Sequence, residues 1–129
     1  MEVFMIFKRL FLFSYILLYT TVIYSQDCKS ADQELNIVYK QILNKYASDT
    51  LFLSKLKRAQ LAWIKYRDAH VQAHFPLDKG ENAQEKYGTV YNQCECFDIE
   101  MLTRERIKYL QRWIEGSEEG DVCRGSVRN

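Results

Sequence analysis

The sequence lacks the features that identify a catalyst. No serine sits on a strand-to-helix elbow of the hydrolase type, and no strand with convincing alternation of polar and apolar residues is present. The segment HVQAH, residues 70–74, lacks the glutamate of the HExxH zinc protease pattern. Acidic residues are frequent, but a narrow helical bundle offers no groove in which two carboxylates could cleave a sugar chain. We therefore expect no catalytic residue and no cofactor.

The sequence also lacks an excess of charge of one sign. It contains 18 Lys and Arg residues against 17 Asp and Glu residues, and the chain is neutral once Glu2, Lys8 and Arg9 are removed with the N-terminal segment. A nucleic-acid-binding protein needs a clustered basic face, so we expect no nucleic-acid partner. Neutrality also argues against strong electrostatic steering toward any partner.

No apolar run is long enough to anchor the chain securely in a membrane. Lys8 and Arg9 precede an apolar stretch of about 15 residues, shorter than the roughly 20 that span a bilayer. Ser25 supplies the small residue at a plausible cleavage position. We interpret residues 1–25 as a signal peptide, with a retained anchor as the disfavoured alternative. The protein is expected to be exported to the periplasm or the cell exterior, with no stable membrane anchor after cleavage.

Four cysteines follow this segment, at Cys28, Cys94, Cys96 and Cys123. An even number of cysteines in an exported chain predicts two disulfides. A bridge between Cys94 and Cys96 would close a strained ring, so each is expected to reach Cys28 or Cys123, and the pairing stays open. A zinc or copper site built on Cys94 and Cys96 is the alternative.

Helical spacing of apolar residues predicts three helices, over residues 31–47, residues 51–75 and from about residue 89 to Gly116. Ser30 begins a capping-box pattern, Pro76 ends the second helix, and Gly116 is a plausible C-terminal cap. The polar connection at residues 77–87 is expected to be mobile. The predicted buried stripes are Leu35, Val38, Tyr39, Ile42 and Tyr46, then Phe52, Leu56, Ala59, Trp63, Tyr66 and His70, then Ile99, Leu102, Thr103, Arg106, Ile107, Leu110, Trp113 and Ile114.

The predicted fold class is all-α, a small antiparallel three-helix bundle with a disulfide-tethered C-terminal tail. In this interpretation residues 26–116 form one helical domain. Residues 117–129 form the tail, which Cys123 is expected to fasten because the segment has too few apolar residues to pack alone.

Three segments carry a resemblance to a known family: ADQELN at residues 31–36, AQLAWIKYRD at residues 59–68 and LTRERI at residues 102–107. In this order they resemble the lysozyme-inhibitor LprI-like family of small exported helical domains. The ending at residues 113–126 is similar to tails of a Bacteroidetes-type branch. Many members carry a cysteine where this chain has Val71, so Cys96 and Cys123 are expected to substitute for it.

The motif residues are interpreted as structural. Trp63 and Tyr66 share a helix face and are expected to fill the core. A charge on a buried stripe needs a partner, so Arg106 or Arg67 is predicted to meet Asp68 or Glu34 in a polar clasp across a helix interface. The alternative is a pocket for a ligand carboxylate.

Two smaller interpretations concern Thr103 and the histidines. Thr103 is expected to bond the preceding turn of its own helix. His70 and His74 are spaced so that both could face one metal, with Asp68 or Asp78 as a third ligand, but nothing in the sequence requires a metal. A partly exposed helix end is the simpler interpretation.

The resemblance implies a non-enzymatic binding protein whose partner is a lysozyme-like protein. Host lysozymes are typically basic and hold two essential carboxylates in a cleft, which an inhibitor must cover. The acidic run Glu115, Glu118, Glu119 and Asp121 could face a basic rim, and residues 77–87 could enter the cleft. Solvated surface is the alternative for both segments. The alternative function is an envelope structural or interaction module with no lysozyme role.

Overall fold

The structure is a computed structural model that describes residues 27–129, and the predicted signal peptide lies outside them. The described part contains no strand and four helices: α1 (Asp27–Lys45), α2 (Thr50–His74), α3 (Ala83–Tyr87) and α4 (Tyr91–Glu115). The all-α prediction is confirmed, and α3 is an additional short helix inside the predicted connection. None of these helices is long and apolar enough to cross a membrane.

The start of α2 and the end of α4 show local capping, whereas Val90 at the start of α4 gives no side-chain cap. Asp49 caps α2 by accepting a hydrogen bond from the amide of Phe52 at 3.0 Å, and α4 ends at Gly116, whose φ is 87°. The predicted capping box at Ser30 is wrong, since Ser30 lies within α1. The first turn of α1 is held instead by the disulfide of Cys28 and by the complete burial of Ala31.

Helices α1 and α4 run parallel to each other. Near their starts, Cys28 and Cys96 form a disulfide with a Cα–Cα distance of 5.4 Å. At their ends, Lys45 Nζ donates a hydrogen bond to the carbonyl of Ile114 at 3.1 Å. The two helices therefore stay adjacent along their length and build most of the core.

Helix α2 runs in the opposite direction to both. The ring of Phe52, near its start, lies 5.9 Å from the ring of Trp113 near the end of α4. His74, at its end, contacts Asp98 near the start of α4. The structure is thus an up-down-up arrangement of three long helices, with α3 in the second connection.

The core joins residues of all three long helices. Its buried members are Leu35, Val38, Ile42, Tyr46, Leu56, Ile107 and Leu110, packed against the partly buried Tyr39, Phe52, Leu53, Trp63, Trp113 and Ile114. The stripes predicted for α1 and α4 are buried or partly buried throughout. The stripe predicted for α2 is partly wrong, because Ala59, Tyr66 and His70 are exposed while Gln60 and Val71 face inward.

Only one of the two predicted disulfides is present. Cys28 pairs with Cys96, whereas Cys94 and Cys123 are exposed free thiols. Cys94 lies in the first turn of α4 and Cys123 lies beyond its last turn, and a helix of 25 residues is about 37 Å long. Because a disulfide needs Cα atoms within about 7 Å, these two cysteines cannot pair in this fold.

The prediction that Cys123 fastens the tail is therefore wrong, and hydrogen bonds hold the tail instead. Lys45 Nζ donates to the carbonyl of Arg128 at 2.7 Å, and the Arg128 amide donates to the hydroxyl of Tyr46 at 2.8 Å. The indole Nε1 of Trp113 donates to Ser126 Oγ at 3.0 Å. The last residues thus fold back onto the ends of α1 and α4.

The connection between α2 and α4 is fixed by local contacts. Asn82 caps α3 by accepting hydrogen bonds from the amides of Gln84 and Glu85, the second and third residues of this helix. The Tyr87 hydroxyl donates to the carbonyl of Pro76 at 2.6 Å. The rings of Phe75, Tyr87 and Tyr91 lie within 6.1 Å of one another. Within the predicted connection, residues 83–87 are thus a capped helix that ends in an aromatic cluster, and residues 77–82 are not helical.

Candidate functional site

Arg67, from the second motif segment, joins α2 to α1. Its NH1 donates to Asp32 Oδ1 at 2.9 Å, and its Nε and NH2 donate to the neighbouring Asp68 at 3.2 and 3.1 Å. The side chain of Arg67 is only 15% exposed, whereas the two carboxylates are about half exposed. The cross-helix partner is therefore Asp32, and not Asp68 or Glu34 as predicted.

Glu34 takes part in a different pair. It meets Arg104 on α4 at 3.3 Å, and Arg104 also pairs with Glu100 one turn earlier at 2.6 Å. Glu34 and Arg104 are both nearly half exposed, and exposed ion pairs contribute little to stability. This pair bridges α1 and α4 at the surface.

Arg106 is bound by an amide and by aromatic rings. Its Nε donates to Gln60 Oε1 at 3.0 Å, and its guanidinium lies 5.8 Å from the Trp63 ring centre and 5.7 Å from that of Tyr109. Desolvation lowers the pKa of Arg106, which remains a cation at neutral pH. Across residues 27–129 it has no ion pair, so the predicted carboxylate partner is absent for Arg106.

Trp63 lies between two arginines. Its ring is 5.3 Å from the Arg67 guanidinium and 5.8 Å from that of Arg106. We call Arg67, Trp63 and Arg106 the arginine–tryptophan stack. It links the three helices, because Arg67 reaches α1 and Arg106 comes from α4. The sequence pattern singled out the three members but gave no signal for Asp32 and Gln60, although both lie in the motif segments.

Replacement of Arg106 by alanine is expected to lower the free energy of unfolding by about 1–2 kcal/mol. The change removes one charge-assisted hydrogen bond to the buried Gln60 and two cation–π contacts, but it strands no carboxylate. Urea unfolding measures the effect, with Arg104→Ala as the exposed control, for which less than about 0.5 kcal/mol is expected. A loss above about 3 kcal/mol would point to a stranded buried charge instead.

Two other motif residues differ from expectation. Tyr66 is 56% exposed and its ring centre lies 5.8 Å from that of the exposed His70, so its predicted core role is wrong. Thr103 is fully buried, but its hydroxyl has no hydrogen-bond partner among the residues described, so the predicted bond to its own helix is absent. Tyr66 is therefore a surface residue, and Thr103 contributes packing.

His70 and His74 contact different residues. The Nδ1 of His74 is bound to Asp98, which is buried, while His70 lies over Tyr66. Within residues 27–129 no group of three or more His, Cys, Asp or Glu side chains is placed to hold a metal ion. His74 therefore ties α2 to α4.

A groove of about 380 Å³ lies between α1 and α2. Its charged and polar lining includes Asp32, Tyr39, Lys57, Gln60 and Arg67. Desolvation raises the pKa of Tyr39 even though the nearby Arg106 acts in the opposite direction. Arg67 is already neutralised by two carboxylates, so the groove gives little support to the alternative of a pocket for a ligand carboxylate.

The predicted acidic surface lies at one end of the molecule. Glu115, Glu118, Glu119 and Asp121 are all exposed. Glu115 is the last residue of α4, and the other three lie in the segment after it, which the contacts of Arg128 hold against the helices. We call these four residues the acidic end.

The second predicted segment, residues 77–87, lies at the opposite end of α4. The two surfaces are separated by the length of a 25-residue helix, about 37 Å. The sequence-based hypothesis had assigned the acidic end and residues 77–87 to one interface. The structure shows that they are separate surfaces.

The sequence matches the family described as Lysozyme inhibitor LprI over residues 19–110. The chain belongs to this family. Searches of curated proteins and of solved structures give no match. The arginine–tryptophan stack and its partners Asp32 and Gln60 lie inside the matched range, whereas the acidic end lies beyond it. The matched range thus contains the motif residues and most of the helical framework.

Proposed function

We propose that this protein is an exported, non-enzymatic binding protein that inhibits a lysozyme-type cell-wall hydrolase by covering its cleft. The observation that carries the proposal is the match to the Lysozyme inhibitor LprI family. The motif residues support it indirectly, because they are engaged in contacts between helices, and this favours a stable scaffold over a catalytic centre.

Export is part of this proposal. Residues 1–25 would act as a signal peptide, leaving the helical domain at residues 26–116 and the tail at residues 117–129. The disulfide between Cys28 and Cys96 fits an oxidising compartment, the periplasm or the cell exterior. The form of the tail further suggests the Bacteroidetes-type branch of the family.

The acidic end is the surface that fits a basic partner best. Its four carboxylates are exposed and carry the same charge, opposite to that of a basic enzyme. The tail is fastened to the bundle through Arg128, which contacts Tyr46 and Asp49. Because the segment is held at both ends, binding would cost less ordering entropy than binding by a free tail.

A cell-wall lysis assay tests the proposal. The protein is titrated against lysozymes of chicken, goose and invertebrate type, and stoichiometric loss of activity is expected for one class. Absence of inhibition at a large molar excess for all three would contradict the proposed function.

Charge reversal then locates the interface. Reversal of the acidic end (Glu115→Lys, Glu118→Lys, Glu119→Lys and Asp121→Lys) is expected to raise the inhibition constant at least tenfold. Asp78→Lys with Glu85→Lys, two reversals at the opposite end, is the control and should leave the inhibition constant unchanged. The reverse pattern would place the interface at residues 77–87. Far-ultraviolet circular dichroism verifies that both variants keep their helices.

A second candidate function is an envelope interaction module with no lysozyme role. The observation that favours it is a set of exposed apolar side chains on α4, including Phe97 and Met101. Pull-down from an envelope fraction, in the absence of any inhibition, would support this function.

A further inference from the structure

The outer face of α4 carries an apolar stripe that no other described helix covers. The stripe consists of four residues at steps of four, three and four: Val90, immediately before α4, then Cys94, Phe97 and Met101 within it. At about 100° per residue these positions lie within about 60° of one another around the helix. Val90, Phe97 and Met101 are 53%, 59% and 51% exposed, and Cys94 is exposed as well. We call this set the Cys94 stripe.

The spacing of the stripe is that of a helix-pairing seam. Alternating steps of four and three residues are the pattern by which one helix packs along another. The next positions in this register, Arg104 and Lys108, are charged and exposed, so the apolar seam ends after Met101. The available contact is therefore short, about three helical turns.

Cys94 stands apart from the disulfide although Cys96 is only two residues away. Two residues correspond to about 200° around a helix, so Cys96 faces α1 and bonds Cys28 while Cys94 faces outward. The other free thiol, Cys123, lies beyond the far end of α4. Cys94 thus has no cysteine within this fold with which it can pair.

We propose that the Cys94 stripe is a self-association surface, where two copies of this chain pack α4 against α4 and join their Cys94 thiols in an interchain disulfide. A two-fold contact places the same patch of both copies face to face. Cys94 lies inside the stripe, flanked by Val90 and Phe97, so a contact centred there brings the two thiols together. Another protein would need its own matching thiol, which a second copy supplies automatically.

The size of the stripe explains why the disulfide matters. A stable interface buries about 1,200 Å² or more in total, and four side chains from each copy fall short of that. Without the covalent bond the pair would dissociate readily. The disulfide keeps the two copies linked, so their apolar stripes meet within one covalent molecule and the contact persists.

The chemistry is a thiol–disulfide exchange with a small or protein disulfide as the oxidant. The thiolate of one Cys94 attacks that disulfide, forms a mixed disulfide and releases one thiol. The Cys94 thiolate of the second copy then displaces the other thiol. In total two Cys94 thiols and one disulfide give one interchain disulfide and two released thiols.

Paired cysteine variants test the proposal. The protein purified after expression of the full chain is incubated in oxidised and reduced glutathione, then analysed by non-reducing electrophoresis and intact mass. Wild type and Cys123→Ser should form a disulfide-linked dimer, and Cys94→Ser should stay monomeric. Dimerisation of Cys94→Ser to the wild-type extent, or a wild-type monomer carrying only glutathione, would overturn the proposal.

A second pair of variants tests whether the apolar side chains promote dimerisation or whether exposure of the Cys94 thiol is sufficient. In the Cys123→Ser background, the uncharged replacements Phe97→Gln with Met101→Gln should slow dimer formation at least tenfold. The rate at which Cys94 reacts with a small aromatic disulfide reagent should stay the same within twofold. Equal dimerisation rates with and without these two changes would show that the apolar stripe plays no part. The outcome is independent of lysozyme inhibition.

Discussion

Replacement of both Cys28 and Cys96 by serine is expected to lower the free energy of unfolding by about 4 kcal/mol. The disulfide links positions 68 residues apart, and in the chain-entropy model a closed loop of that size restricts the unfolded chain by about this amount. The total stability of a domain is only about 5–15 kcal/mol, so the loss is a large share. The first turn of α1 also loses its covalent attachment to α4.

Chemical unfolding of the double variant and the wild type, both under oxidising conditions, measures this effect. The control is Cys123→Ser, which removes an exposed thiol outside the disulfide, keeps Cys94 and should change stability by less than about 0.5 kcal/mol. A difference below about 1 kcal/mol between the double variant and the control would contradict the expected result. Such a value would mean that the packing of α1 on α4 already holds the two helices in place.

Replacement of Tyr46 by alanine is expected to cost about 3–5 kcal/mol, the range for deletion of a large buried aromatic side chain. Tyr46 is fully buried and its ring lies 4.7 Å from that of Phe52. Its hydroxyl donates to the carbonyl of Trp113 at 3.2 Å and accepts from the amide of Arg128 at 2.8 Å. One side chain therefore joins the end of α1, the start of α2, the end of α4 and the tail.

Tyr46→Phe separates these contributions, because it keeps the ring and removes only the hydroxyl. We expect it to cost about 1–2 kcal/mol and to increase hydrogen exchange mainly at the Arg128 amide. Tyr46→Ala should increase exchange in the helices as well. A tail that exchanges at the wild-type rate in Tyr46→Phe would show that the tail does not depend on this hydroxyl.

The sequence correctly predicted the features that depend on residues close together along the chain. The apolar stripes of α1 and α4 repeat at helical spacing, and Ile42, Ile107 and Leu110 are buried where that spacing placed them. Pro76 follows the end of α2 directly, and Gly116 ends α4 in the left-handed region that glycine accepts most easily. These features depend only on neighbours along the chain.

In α2, the spacing of apolar residues does not predict correctly which side chains are buried. Trp63 and Leu56 were correctly placed inward, but Tyr66 points to solvent and Gln60 is buried. The amide of Gln60 is acceptable inside only because it accepts a hydrogen bond from Arg106 of another helix. A partner on a different helix leaves no signal in the spacing of α2 itself.

The sequence by itself determined the helical class, the three long helices of residues 27–129, the family and the presence of a disulfide-forming cysteine set. The tertiary structure alone decided which cysteines meet, because pairing needs two Cα atoms within a few ångströms and α4 holds Cys94 and Cys123 at opposite ends. It also decided the partners of Arg67 and Arg106, and it fastened the tail through Tyr46 in place of Cys123. Each of these depends on the distance between residues far apart along the chain, which folding sets and residue spacing does not encode.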